Sequence, residues 1–126
     1  MDLTLTTSRQ ISQLQESCDI RYGCEVSLVY TEKTRSVTID SFRSEIKNVG
    51  NGTDCMRYLL SVFADLCINT IHLNASPLGG MDAKTRQLET LRLCNWYSRF
   101  GFDVVKYNYC GEYIANAEMV KVFKYE

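Results

Sequence analysis

The sequence has one proline, one histidine and one tryptophan among 126 residues. A single proline excludes collagen-like and proline-rich linker chains. Hydrophobic residues at 45% and charged residues at 23% exclude an intrinsically disordered chain as well. A basic excess is also missing. The 14 Lys and Arg stand against 15 Asp and Glu, for a formal net charge of -1. That balance disfavours nucleic acid as a partner, because a sequence-independent grip on its backbone needs a marked cationic surplus. No uncharged apolar run is long enough to span a bilayer, so no membrane partner is expected. Residues 1–20 lack the charged-then-apolar pattern of a secretory signal. With one histidine and no CxxC pair, no metal site is expected either.

Cysteine is the exception to this scarcity. Six residues, Cys18, Cys24, Cys55, Cys67, Cys94 and Cys110, are enough for a disulfide framework by number alone. Their places inside apolar-periodic runs argue against one. Cys55, Cys67 and Cys94 read as small buried hydrophobes, and all six as reduced thiols of a cytoplasmic protein. The length fits one domain over residues 1–126, with no repeat or linker, and is compatible with a homodimer.

The patterning alternates strand and helix. Asp2 to Thr6, with Leu3 and Leu5 alternating, reads as a short strand. Thr7 or Ser8 then caps a short helix bearing Ile11, Leu14 and Cys18. Cys24, Val26, Leu28 and Tyr30 share one strand face, and Val37, Ile39 and Ser41 follow a polar turn at Thr31 to Arg35, which predicts an antiparallel hairpin. A Gly/Asn loop, Lys47-Asn48-Val49-Gly50-Asn51-Gly52, leads into a helix over about Thr53 to Cys67. Thr70 to Ala75 is a strand with His72 and Asn74 on its polar side. A long helix spans about Ala83 to Phe100 and ends at Gly101, where a left-handed cap is easiest. Strands at Phe102 to Tyr107 and Glu118 to Tyr125 close the chain around a turn at Gly111. The expected class is α+β, with a mixed sheet flanked by helices.

Between strand and helix, Gly50 and Gly52 allow positive φ and close approach of backbone to a ligand. The helix beginning near Thr53 points unpaired N–H groups and a positive dipole end at that loop, which suits a pyrophosphate. Asp54 in the first turn suits the dipole but repels a phosphate unless it points away. This K-x-x-G-x-G stretch is similar to the Q/R-x-x-G-x-G/A loop of the GNAT superfamily of acyl-CoA-dependent N-acetyltransferases. Trp96-Tyr97-Ser98-Arg99-Phe100-Gly101-Phe102 resembles the stretch that ends a helix of the same family. Together the two cover about residues 37–105 and occur in the family's order.

The resemblance implies acetyl-CoA as cofactor, an acyl-CoA N-acyltransferase-like sheet, and transfer of an acetyl group to an amine acceptor of unknown identity. It implies that the strand before the loop splays from its neighbour, so that the backbone of Asp40, Ser41 and Phe42 pairs with the pantetheine arm. Lys47, Asn48, Val49, Gly50, Asn51, Gly52 and Thr53 then surround the pyrophosphate. Tyr97 takes the position that protonates the departing thiolate. Thr90 replaces an asparagine seven residues before that tyrosine, a cofactor contact in altered form. At the usual position of the basic glutamate stands Asn74, which takes no proton. His72, two residues earlier on the same face, is the candidate base, with Asp40 and Glu45 as the other carboxylate options. Two rivals stand beside this reading: a catalytically impaired binding module on the same fold, and an unrelated α+β interaction protein in which the loop and Tyr97 are structural.

Overall fold

A computed structural model describes residues 3–44 and 50–125, without the side chains of residues 3–6 and 44. Among the described residues are three helices and five strands. They are α1 (Leu3–Tyr22), β1 (Cys24–Thr31), β2 (Ser36–Ser44), α2 (Asn51–Asp65), β3 (Thr70–Ala75), α3 (Ala83–Ser98), β4 (Asp103–Cys110) and β5 (Tyr113–Val122). The class is α+β, and the strands form one mixed sheet in the order β1-β2-β3-β5-β4. The chain divides into two compact units, one running to Ile71 and resuming at Phe123, the other His72–Val122.

In the first unit, α1 carries Thr7, Ile11, Leu14 and Cys18 buried at helical spacing. The expected strand at the N-terminus is not there, since Leu3 to Thr6 belong to α1. Two alternating leucines are too short a run to set a strand period, and the helical spacing of the buried Thr7, Ile11, Leu14 and Cys18 decides the element. Strands β1 and β2 pair antiparallel as the alternation predicted. Their register slips at Ser27 and Leu28: Ser27 faces Ser41 and Leu28 faces Ile39, so Asp40 bulges out with no partner on β1. Gln15 of α1 accepts from the Leu28 N–H at 2.6 Å, which satisfies a backbone donor at the slip.

Helix α2 buries Cys55, Met56, Leu59 and Phe63. The apolar stripe expected to run on to Cys67 stops earlier. α2 ends at Asp65, Cys67 turns left-handed at φ 57, and its side chain is exposed while Ile68 is buried.

In the second unit, Leu73 and Ala75 of β3 are buried and His72 and Asn74 exposed, as alternation requires. α3 buries Thr90, Cys94 and Tyr97. It gives way to Gly101 at φ 91, where an added Cβ would come within 2.5 Å of Lys121 Nζ. The last two strands are longer at the turn than the pattern suggested. Cys110 pairs with Tyr113 across a two-residue connection that begins on left-handed Gly111 (φ 64). A slip between Asn108 and Tyr109 leaves Ala115 unpaired. α3 meets this bulge with three side chains. Arg86 Nε and Thr90 Oγ1 donate to the Ala115 carbonyl at 2.8 and 3.3 Å, and Gln87 accepts from the Ile114 N–H at 2.8 Å.

Candidate active site

The first unit holds the candidate phosphate-binding terminus. α2 starts on Gly50, which sits in the left-handed region (φ 80, ψ 0) as N-cap and offers no side-chain cap. A Cβ built there meets no described atom within 4 Å. Gly52, expected to share that conformation, lies instead within the first turn of the helix. The Asp54 N–H reaches the Gly50 carbonyl at 3.1 Å, whereas the N–H groups of Asn51, Gly52 and Thr53 precede the first intrahelical acceptor. Asn51 pins this turn in place, its side-chain amide donating to Tyr22 O at 3.1 Å. Asp54 is exposed, in contact with solvent. Lys47, Asn48 and Val49, together with Glu45, lie outside the described residues.

On β2, Asp40 and Ser41 are exposed and Phe42 half-buried. The bulge at Asp40 changes the facing of the strand just before the loop, a feature that alternation alone did not reveal.

The second unit holds the candidate acid. Tyr97 is 8% exposed, edge-on to Trp96 (centroids 5.1 Å) and to Phe102 (5.8 Å). Burial, with a smaller contribution from Cys94, pushes its hydroxyl up to about 12. The phenol therefore keeps its proton throughout the physiological range. Thr90, placed by resemblance among the cofactor contacts, is fully buried with its hydroxyl given to Ala115 O. Its role in this structure is to tie α3 to β5.

His72 projects from the exposed side of β3 beside Asn74. One polar cluster escaped sequence reasoning. Asn108 Nδ2 donates to Asn116 Oδ1 at 2.7 Å and to Glu118 Oε2 at 3.3 Å, on β4 and β5. Only the strand register brings these three together. The same unit has a cavity of about 230 Å³ lined by Met81, Arg86, Cys110, Tyr113 and neighbouring residues. Arg86 is not free to take a ligand there, because its guanidinium also donates to Pro77 O at 3.3 Å and Ser76 Oγ at 3.0 Å. No group of three or more metal-ligating side chains gathers among the described residues, and no helix among them is long and apolar enough to cross a membrane.

No protein-family model and no curated protein matches the chain by sequence. Solved structures do match by fold. Ard1 from Thermoplasma volcanium superposes with a TM-score of 0.57 at 17% identity, over 81% of this chain and 64% of that one. Naa50 from Arabidopsis thaliana, solved with the bisubstrate analogue CoA-Ac-MVNAL, gives 0.56 at 17% identity, over 79% of this chain and 64% of that one. Nourseothricin acetyltransferase gives 0.50 at 15% identity, over 77% and 55%. The chain thus spans less than two thirds of the length of each.

Proposed function

From the GNAT fold of this chain we propose that it is an N-acetyltransferase that moves an acetyl group from acetyl-CoA to an amine. The observation that carries the proposal is the start of α2 on a left-handed glycine, with no side-chain cap and no described atom within 4 Å of a Cβ built there. The donor set fits a pyrophosphate. The N–H groups of Asn51, Gly52 and Thr53 lack intrahelical acceptors, the dipole end is positive, and no side chain competes for the site at Gly50. Lys47, Asn48 and Val49 belong to the same proposed contact. Asp40, Ser41 and Phe42 supply the strand backbone along which the pantetheine arm is to lie.

Bound acetyl-CoA supplies an activated thioester. With it bound, backbone N–H groups of β2 would hydrogen-bond the thioester carbonyl and hold it open to attack by the acceptor amine. Tyr97 would hold its hydroxyl proton for the thiol leaving group. With its pKa near 12 it is a weaker acid than a free phenol, so it acts chiefly as a hydrogen-bond donor whose proton moves late. His72, exposed on β3, takes the amine proton directly or through water. Thiol chemistry of this kind suits a reducing compartment such as the cytoplasm.

Calorimetry with coenzyme A, followed by turnover of acetyl-CoA with a panel of amines and peptide N-termini, tests the proposal. Stoichiometric binding and amine-dependent release of thiol are expected. Absence of binding overturns it. Binding without turnover favours the impaired module, a reading supported by the non-basic Asn74 on β3 and by the engaged hydroxyl of Thr90.

A further inference from the structure

In the first unit the end of α1 meets the opening turns of α2, and an arginine is held at that junction. Gly23, left-handed at φ 63, stops α1, and its N–H returns to the Asp19 carbonyl at 3.0 Å. The Tyr22 carbonyl just before it accepts from the Asn51 side-chain amide at 3.1 Å, which fixes the last residue of α1 to the first of α2. Asn51, Cys55 and Tyr58 stand at i, i+4 and i+7 of α2. Tyr58 therefore shares the Asn51 side of the helix and leans back toward its N-terminal turn. Its ring packs against that of Tyr22, with centroids 5.6 Å apart and planes tilted by 47°. Arg21 lays its guanidinium over the Tyr58 ring, 5.0 Å from the centroid. Arg21 is exposed and both tyrosines are half-buried. Among the described residues no carboxylate pairs with that guanidinium. Stacking occupies the face of the guanidinium and leaves its in-plane fork of N–H donors for a partner.

We propose that Arg21, held in place by Tyr58, binds the 3′-phosphate of coenzyme A, so that the protein prefers coenzyme A to its 3′-dephospho form. The inference rests on the proposed binding of the pyrophosphate at the start of α2. Coenzyme A carries its pyrophosphate on the 5′ oxygen and a monophosphate on the 3′ oxygen of one ribose. An anion seated at the first turn of α2 thus brings a second one within a ribose of it. Tyr58 lies two turns along, about 10 Å of helix rise from Asn51, and its backward lean shortens that interval. A phosphate monoester is more than singly charged at neutral pH, and an arginine fork engages two of its oxygens at once. The stacked ring has already restricted the Arg21 side chain, which lowers the ordering cost of the contact. Arg21 also sits in the last turn of α1, where a cation complements the helix dipole. That second role acts on stability and treats the two forms of the cofactor alike. The 3′-phosphate takes no part in acetyl transfer, so Arg21 acts on affinity and selectivity.

Calorimetry on the full chain compares coenzyme A with 3′-dephospho-coenzyme A. The wild type is expected to bind coenzyme A about tenfold more tightly, the effect of one charge-assisted contact. Arg21→Ala is expected to lose about that factor for coenzyme A, to hold the dephospho form within about twofold, and so to erase the preference. Tyr58→Phe keeps the ring under Arg21 and should keep the preference. Arg57→Ala removes an equal charge from an exposed position on α2 away from the Asn51 side, and should keep it as well. Failure of both forms to bind the wild type overturns the acetyltransferase reading and this inference with it. Equal binding of both forms by the wild type overturns the inference alone, and that comparison needs no variant to fold. A preference that survives Arg21→Ala, or vanishes equally in Arg57→Ala, overturns it too. Parallel weakening of both forms in Arg21→Ala would reduce the residue to its structural role and equally overturn it.

Discussion

Arg35 and Cys67, the two non-glycine residues with left-handed backbone among the described residues (φ 49 and 57), are bound to each other. The Arg35 guanidinium donates from Nε to the Cys67 carbonyl at 3.2 Å, and a second nitrogen reaches the carbonyl of Leu66. The turn between β1 and β2 thereby supplies the cation that closes the C-terminus of α2. Asn69 completes the junction from the other side, donating its amide to Thr34 O at 3.1 Å and its backbone N–H to Arg35 O at 2.8 Å.

Arg35→Ala removes charge-assisted bonds to helix-terminal carbonyls and keeps the backbone strain. A loss of about 1–3 kcal/mol in urea unfolding is expected. Arg35→Gly loses the same bonds but relieves the left-handed strain, so it should be less damaging by roughly 1 kcal/mol. Equal losses in the two variants would remove backbone strain from the account.

The two glycines of the proposed phosphate site should separate. Gly50→Ala meets no steric neighbour, so its cost is conformational, about 1 kcal/mol of stability. Gly52 is helical, and Gly52→Ala should leave the fold intact or stabilise it by about 0.5–1 kcal/mol. The bulkier Gly52→Val should weaken coenzyme A binding at least tenfold, about 1.4 kcal/mol, in a protein that stays folded. Unchanged affinity by calorimetry would return the loop to being an ordinary turn.

Tyr97→Phe keeps the aromatic packing with Trp96 and Phe102 and removes one oxygen. Cofactor affinity should hold within a factor of about two, while the transfer rate falls about tenfold or more. The high hydroxyl pKa places the loss nearer the lower bound. Full turnover in the variant would take Tyr97 out of the mechanism.

The same hydroxyl makes a prediction about alkaline stability. Its folded pKa, about 12, lies above the ordinary 10, so the folded state binds the proton more tightly than the unfolded chain. The preference costs nothing below pH 10, and stability is lost as pH rises from there through 12, by up to about 2–3 kcal/mol. Tyr97→Phe should flatten that part of the profile in denaturant titrations. An unchanged alkaline slope would assign it to other groups.

Freshly purified protein, denatured and alkylated without reductant, should carry six adducts, because all six thiols are free in this structure. In the native state Cys67 and Cys110 should react first. A mass corresponding to fewer than six adducts on fresh protein would sink the assignment to a reducing compartment.

Much of this was legible from local pattern. The β1–β2 hairpin, the stripe of α2, the alternation of β3 and the left-handed stop at Gly101 each depend on spacing within a few residues, and spacing is what a sequence displays. The glycine loop and the Tyr97 segment were legible too, as a resemblance whose fold the superpositions support while the roles of its residues stay proposals. Other features were decided only by chain segments far apart in sequence. Cys67 turned outward because Arg35, 32 residues away, holds the end of α2. The bulges at Asp40 and Ala115 arise from strand register, which no single strand encodes, and Gln15, Arg86, Gln87 and Thr90 satisfy backbone groups around them from neighbouring helices. Cys18, Cys24 and Cys55 have no common spacing in the chain, and all three are buried through the packing of α1, β1 and α2. Short-range periodicity sets which residues face inward. Which inward residues then meet depends on how helices and strands pack, and that is settled by the burial of all of them at once.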